Sequence, residues 1–286
     1  MLNNQDLVLR INDKYPKLSK GQKLISEYIL NNYDKAAFMT ALKLGDKVGV
    51  SESTVVRFAM ALGYDGYPEL QKSLQEMVRN KLTTIQRMEM TSELSHTMVL
   101  RSVLKADMNN IRMTIDEINT DIFDGIVDAV YAAKTVYIMG LRSSSPLAQF
   151  LGYYLNFILD NVRVVTSGVN DILEQIIHIN EQDVLIGISF PRYSRKIVEA
   201  MQFAKNRNAN IIAITDSLLS PLSEYATHSL VARSDIASFV DSLVAPFSVI
   251  NALIVSIGLK KKEEVSEHFK ELESIWEEYN VYIEKD

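Results

Sequence analysis

Five short apolar runs in the second half of this chain narrow its possible folds most. They are Thr135–Met139, Val162–Val165, Val184–Ser189, Ile211–Thr215 and, more weakly, Ser229–Ala232. A strand open to water on one face alternates apolar and polar residues. A run that is apolar nearly throughout reads as a strand covered by helices on both faces. Helical stretches lie between the runs, at about Pro146–Leu159, Asp171–Asn180, Ser194–Asn206 and Pro221–Ala226. Strand, helix, strand, helix is the pattern of a doubly wound parallel sheet, here of five strands between helices.

Upstream the chain reads differently. There is no glycine between Gly66 and Gly125 and no proline between Pro68 and Pro146. Within that gap Leu100, Leu104, Met108, Ile111, Ile115 and Ile118 recur at helical spacing. Before it, short helical stretches are separated by glycine turns, as in an all-α bundle. A chain of 286 residues accommodates two such cores. With 47 % hydrophobic and 23 % charged residues the composition is that of a folded protein rather than a disordered one.

Several classes fall away. The chain has no cysteine, which removes disulfides, cysteine zinc sites and thiol nucleophiles, and fits a reducing cytoplasm. Residues 1–20 carry charges throughout, so no signal peptide is expected. Ser242–Leu259 is uncharged and is followed by three lysines, but it holds Pro246, Asn251 and three serines. It reads as a buried or interface helix, and no membrane association is expected. The net charge is −6, yet residues 1–80 carry +2 and residues 81–286 carry −8. The mildly basic end is therefore the candidate nucleic-acid end.

Within that end, Ser19-Lys-Gly-Gln22 has the form of a capping box opening a helix to about Asn31, with Leu24, Ile25, Tyr28 and Ile29 as its apolar stripe. A second helix is expected over Thr40–Val48, with Leu42 and Leu44 inward, followed by a tight turn at Gly49. Ser51 can cap a third helix, Glu52–Leu62, which Gly63 closes; Val55, Phe58 and Leu62 would face the core. Two short helices joined by a glycine turn can form a helix-turn-helix, whose second helix enters the major groove by its N-terminal residues. That places Ser51, Ser53, Thr54 and Arg57 near DNA, with Lys43 and Lys47 able to touch the backbone. On pattern alone a plain helical bundle fits as well, with Ser51 a simple cap and Arg57 a solvated charge.

Val50-Ser-Glu-Ser-Thr-Val-Val-Arg-Phe58, then Leu62-Gly-Tyr-Asp-Gly-Tyr67 and the upstream Leu18-Ser-Lys-Gly-Gln-Lys-Leu-Ile-Ser-Glu-Tyr-Ile29, resemble the RpiR-type regulator family over about residues 1–78. The resemblance implies a DNA-binding helix-turn-helix there. One departure is Gly45, where the family more often has alanine. A mid-helix glycine costs about 1 kcal/mol relative to alanine, so a weaker second helix is expected.

In the second half, Gly140-Leu-Arg-Ser-Ser-Ser145 joins a strand to a helix, and Ser189-Phe-Pro-Arg-Tyr-Ser194 repeats the arrangement two strands later. Hydroxyls and backbone N–H groups at a helix N-terminus suit an anion, and the carboxyl ends of strands are where open α/β sheets bind ligands. Helix capping explains each serine taken singly. The region from about 121 to 260 resembles the SIS (sugar isomerase) domain that follows the DNA-binding domain in RpiR-type regulators. That resemblance implies that the two loops contact the phosphate of a phosphosugar. Ser144 holds the family's serine position in the first loop, with Ser143 beside it, and Ser189 and Ser194 hold the outer hydroxyl positions of the second. Arg142 replaces a glycine of the first loop, and Pro191 and Arg192 replace the inner pair of the second. The arginines either clamp a phosphate or carboxylate, or they fill the space through which a phosphosugar reaches the backbone. Thr215-Asp216-Ser217 follows the fourth strand at the same edge.

The resulting expectation is a helix-turn-helix domain over 1–78, a helical linker over 79–120, a SIS domain over 121–260 and a C-terminal helix over 261–286. Its partners are double-stranded operator DNA, a small anionic metabolite of the phosphosugar kind, and further copies of the chain as a homodimer or dimer of dimers. The uncharged Ser242–Leu259 helix and the apolar helix at about Thr97–Asn119 are the candidate dimer surfaces. No cofactor, metal or catalytic residue is expected, since His96, His178, His228 and His268 lack ligand spacing. SIS domains also occur in aldose–ketose isomerases, which need a general base. Glu174 is the candidate for that alternative, whereas His178 and Glu181 read as surface.

Overall fold

The computed structural model describes residues 7–81, 85, 88, 95–166, 171–236 and 240–282. The chain divides into two compact units, Met1–Glu89 and Met90–Asp286.

The first unit is all helix: α1 (Leu7–Lys14), α2 (Lys20–Asn31), α3 (Tyr33–Ala36), α4 (Ala41–Val48), α5 (Glu52–Ala61) and α6 (Tyr67–Lys81). The capping box at Ser19 is formed: Gln22 N donates to Ser19 Oγ at 3.4 Å and Ser19 N donates to Gln22 Oε1 at 3.0 Å. Ile11, Ile25, Ile29, Leu44, Val55, Phe58, Leu70 and Leu74 make one fully buried cluster. Each such side chain removed from water contributes about 1.5–3 kcal/mol.

Two expectations are corrected here. Leu24 and Leu42 are exposed. The buried row of α4 is Ala41, Leu44 and Gly45, spaced i, i+3, i+4 along one face, which turns Leu42 away by about a quarter turn. Gly45 also has a positive role. A Cβ there would stand 2.7 Å from the carbonyl oxygen of Val50. Gly45 O accepts from Gly49 N at 2.8 Å and Val50 N at 2.9 Å. The chain doubles back so closely on α4 that only glycine fits, and the loss of helix propensity is offset by the turn it permits. Gly49 itself has φ 79°, where a side chain is disfavoured.

The second unit opens with α7 (His96–Glu117) and α8 (Thr120–Ala132). There follow β1 (Val136–Gly140), α9 (Ser145–Leu155), β2 (Val162–Val165), α10 (Ile172–Gln175), β3 (Val184–Ile188), α11 (Arg195–Lys205), β4 (Asn210–Thr215) and β5 (His228–Val231). The unit closes with α12 (Val244–Lys260) and α13 (Lys262–Glu278). The five strands lie wholly parallel in the order β2-β1-β3-β4-β5. The alternation of side chains along each strand divides the core. Ile138, Ile186 and Ile212 pack with α8, α9 and α12 on one face, and Tyr137, Leu185 and Ile211 pack with α11 on the other. The helix expected at Asp171–Asn180 shortens to Ile172–Gln175, and Pro221–Ala226 forms a turn rather than a helix. There Leu222 N donates to Ser220 Oγ at 3.2 Å, an early hydroxyl contact that competes with a helix start.

α12 buries Ala245, Pro246, Val249, Ile250, Leu253, Ile254 and Ile257, so the uncharged Ser242–Leu259 segment is largely a core helix. No single helix among the described residues is long and apolar enough to cross a membrane. α7 packs against α12 by a polar side, its buried residues being Asn110 and Thr114. Asn110 Nδ2 donates to Asp235 O at 2.9 Å, and Asp235 N donates back to Asn110 Oδ1 at 3.0 Å. The loop after β5 has no strand partner for this backbone, and the amide side chain replaces one.

Candidate functional site

In the first unit, α4, the Gly49 turn and α5 form a helix-turn-helix whose second helix begins at an exposed hydroxyl cluster. Ser51 occupies the N-cap position of α5 without capping a backbone N–H. Its Oγ lies 3.0 Å from Ser53 Oγ and 2.8 Å from Thr54 Oγ1. The first turn is closed by backbone instead, Thr54 N donating to Ser51 O at 2.9 Å. Arg57, one turn on, is exposed and its Nε donates to Ser53 O at 3.2 Å. Lys43 and Lys47 are exposed on α4. Val55 and Phe58 anchor the inner side of α5, so packing holds the outer row in place.

In the second unit the topology itself marks a site. The chain leaves β1 toward β2 on one side and leaves β3 toward β4 on the other, and β1 and β3 are neighbours. Gly140 at the end of β1 is paired with Ile188 at the end of β3. The loops that follow emerge side by side at the switch point of the sheet, the crevice where such sheets bind ligands.

In the first loop Ser144 is buried while Arg142 and Ser143 are exposed. Gly140 is required below it, because a Cβ there would meet Ser144 O at 2.5 Å. In the second loop Ser189 is buried, and its Oγ accepts from Ser194 N at 3.1 Å, closing the loop on itself. Arg192 is exposed. Arg142 and Arg192 both have left-handed backbones, φ 57° and 72°. An L-residue there gives up about 1–2 kcal/mol, and both arginines stand where the resembling SIS pattern usually carries glycine. Non-glycine strain of this kind concentrates at binding sites.

The structure adds a contact not anticipated from sequence. Tyr193 OH donates to Asp216 Oδ1 at 2.8 Å, and Thr215 Oγ1 lies 3.4 Å from the same oxygen. Asp216 thus ties the β3 loop to the end of β4. Glu174 is exposed and its Oε2 accepts from Asp171 N at 3.1 Å in a capping box. His178 and Glu181 are exposed as well. Among the described residues no group of three His, Asp or Glu side chains could hold a metal. A cleft of about 300 Å³ lined by Asn156, Phe157, Asp160, Lys261, Val265 and His268 lies beyond the C-terminal end of α9, away from both loops. Topology and backbone strain, rather than this hollow, mark the candidate site.

Comparison with known proteins agrees with both halves. Residues 5–81 match the helix-turn-helix domain of the rpiR family, and residues 129–256 match the SIS domain. The chain is 26 % identical to the HTH-type transcriptional regulator HexR of Escherichia coli, over 96 % of this chain and 95 % of that one. It is also 26 % identical to an HTH-type transcriptional regulator of Clostridium perfringens, over 76 % and 78 % of the two chains. Among solved structures it resembles the sugar isomerase domain of an RpiR transcription factor from Sphaerobacter thermophilus. That match has 28 % identity and TM-score 0.59, and covers 61 % of this chain and 98 % of that one. The fold of the Vibrio vulnificus NanR protein, solved with ManNAc-6P, is matched at 20 % identity and TM-score 0.58 over 97 % and 100 % of the chains.

Proposed function

Because the chain belongs to the RpiR-type family of transcriptional regulators, with an rpiR helix-turn-helix followed by a SIS domain, we propose that its SIS domain senses a phosphosugar or similar anionic carbohydrate metabolite and so alters operator binding. The observation that carries this reading is the pair of strained arginine loops at the β1/β3 switch point. Arg142, Ser143, Ser144, Ser189, Arg192 and Ser194 would hold the anion, the serines by hydroxyl and N–H donors and the arginines by charge. That NanR was solved with a phosphosugar supports the ligand class. On the DNA side Ser51, Ser53, Thr54 and Arg57 would meet base edges and phosphates, with Lys43 and Lys47 on the backbone.

The protein would act in the cytoplasm as a homodimer or dimer of dimers on double-stranded DNA. In this assignment residues 1–78 bind DNA, 79–120 link, 121–260 sense and 261–286 form a terminal helix. Ligand can change DNA affinity only by binding two arrangements of the paired domains unequally. Engagement of Glu174 in a helix cap favours sensing over isomerase turnover. A thermal-shift series against phosphosugars and their unphosphorylated parents, repeated on Ser144→Ala, tests the reading. Stabilisation by a phosphosugar that the variant loses is the expected result. Equal shifts with both classes, or none, would overturn the ligand assignment, and interconversion of sugar isomers followed by NMR would overturn the sensing one.

A further inference from the structure

The structure leaves two apolar helix faces of the second unit open in whole or in part, the second meeting its own chain only where Phe269 lies by Phe157, Trp276 by Tyr282 and Val265 is buried. Along α7, Leu100, Leu104, Met108 and Ile115 are 60, 54, 70 and 68 % exposed. With Ile111 they form one stripe, because residues three and four apart share a face. This row had the periodicity of a core helix, yet the core side of α7 carries Asn110 and Thr114 instead. A contiguous apolar row on a soluble surface marks an interface.

The second face belongs to α13. The segment Val265–Glu278 is bent by 108° from α12. Val265, Phe269, Leu272, Trp276 and Tyr279 lie along one side, with Ile275 at its edge. Of α13's described residues only Val265 is buried, while Ile275 is 42 % and Tyr279 71 % exposed. An isolated amphipathic helix of this length is marginal in water without a partner for its apolar side. The exposures on both helices show that α13 does not cover α7 of its own chain.

We propose that the α13 stripe packs on the α7 stripe of a second copy of this chain, and reciprocally. Charge selects this pairing over α7 with α7. α13 carries seven glutamates and two lysines. On α7, Arg101, Lys105 and Arg112 are exposed and fall on one flank of the stripe. Of the three acids of α7, Asp107 and Glu117 are bonded within the chain, to Ser242 and Arg233, and the exposed Asp116 beside the three cations leaves that flank with a net charge of +2. Self-pairing of α7 would set those cations against each other, whereas α13 brings glutamates to them. The exchange gives both helices a buried side and ties the terminal helix of one copy to the helix that leads into the sensing unit of the other.

This inference rests on the proposed pairing of copies, and its test separates the two. The chain is free of cysteine, so introduced thiols report alone. Full-length Met108→Cys and Leu272→Cys chains are mixed and treated with a short bismaleimide, beside sedimentation of the unmodified protein. The expected result is a cross-linked dimer from the mixture, at least tenfold over either chain alone, with a sedimenting dimer or larger. Leu272→Glu in the full chain should weaken self-association at least tenfold without changing the helical circular dichroism. A sedimenting dimer that cross-links Met108→Cys to itself, or that is unaffected by Leu272→Glu, overturns the exchange but leaves pairing standing. A monomer overturns both. Cross-linking within a single chain carrying both cysteines, in place of the mixed product, overturns the exchange in favour of intramolecular cover.

Discussion

Arg233 holds Glu117 by two hydrogen bonds, Nε to Oε2 at 2.6 Å and Nη2 to Oε1 at 2.5 Å. The guanidinium side chain is 7 % exposed and the carboxylate side chain 35 %. The same arginine donates its backbone N–H to Thr114 Oγ1 at 2.9 Å. Residues 116 positions apart in the chain thus join the last turn of α7 to the segment leaving β5. Planar fork geometry at low exposure makes this pair stronger than a surface contact, since water competes for only one partner. Removing the carboxylate leaves a buried cation unmatched, which costs more than the pair contributes net. Glu117→Gln should lower stability by about 2 kcal/mol, read as a fall in the urea midpoint at unchanged slope. Glu117→Asp, which keeps the charge on a shorter arm, should lose less.

Arg57 is exposed and its guanidinium bonds to its own helix, Nε donating to Ser53 O, so its loss should leave the fold intact. Arg57→Ala is expected to weaken operator binding by about 1–3 kcal/mol in a fluorescence-anisotropy titration, with the melting temperature unchanged. Binding by the intact protein should fall linearly on a log–log plot against salt, because each phosphate contact releases counterions. Lys43→Ala and Lys47→Ala should each flatten that slope by about one unit. An unchanged slope would remove these lysines from the interface.

The two left-handed arginines separate the alternatives that the sequence left open. Arg142→Gly and Arg192→Gly relieve the backbone strain, worth about 1–2 kcal/mol per residue, against about 0.5–1 kcal/mol of added glycine entropy. Each variant should therefore match or slightly exceed the parent in stability. Its affinity for a phosphosugar, measured by calorimetry, should fall at least tenfold. Affinity that rises would show that the side chains block the pocket instead of clamping the anion.

Tyr67 is buried in the first unit, and its hydroxyl donates to Met39 O at 2.7 Å. Burial pushes its pKa up from 10.0 to about 12. The neutral form is the one the folded state keeps, so the unfolded chain loses this proton first as pH rises. The stabilisation is complete below pH 10 and is lost between about pH 10 and 12. Tyr67→Phe should flatten that alkaline limb in a melting series. At neutral pH it should cost only about 1 kcal/mol, because Gln71 Nε2 also donates to Met39 O at 2.8 Å.

Much of the molecule was legible from local signals. The Ser19 capping box, the Gly49 turn and the five strands each depend on a few neighbouring residues, and their local chemistry survives any tertiary context. The same holds for the serine loops at strand ends, because strand polarity in a doubly wound sheet places them at one edge. The sequence alone therefore determined the two-unit plan, the exposed row of α5 and the place of the serine loops at the strand ends.

Which side of an element faces inward was a different matter. Periodicity tells that α7 has an apolar face but not what stands opposite. The backbone of the loop after β5 needs donors and acceptors that apolar residues lack, so Asn110 and Thr114 turn in and Leu104 and Met108 turn out. Gly45 reads as a weakness until Val50 O is found 2.7 Å from its missing Cβ. The strain at Arg142 and Arg192 and the link from Tyr193 to Asp216 are equally invisible along the chain. Sequence carries the preferences of each segment; partners distant in sequence decide which groups must be satisfied, and only the tertiary structure brings those partners into reach.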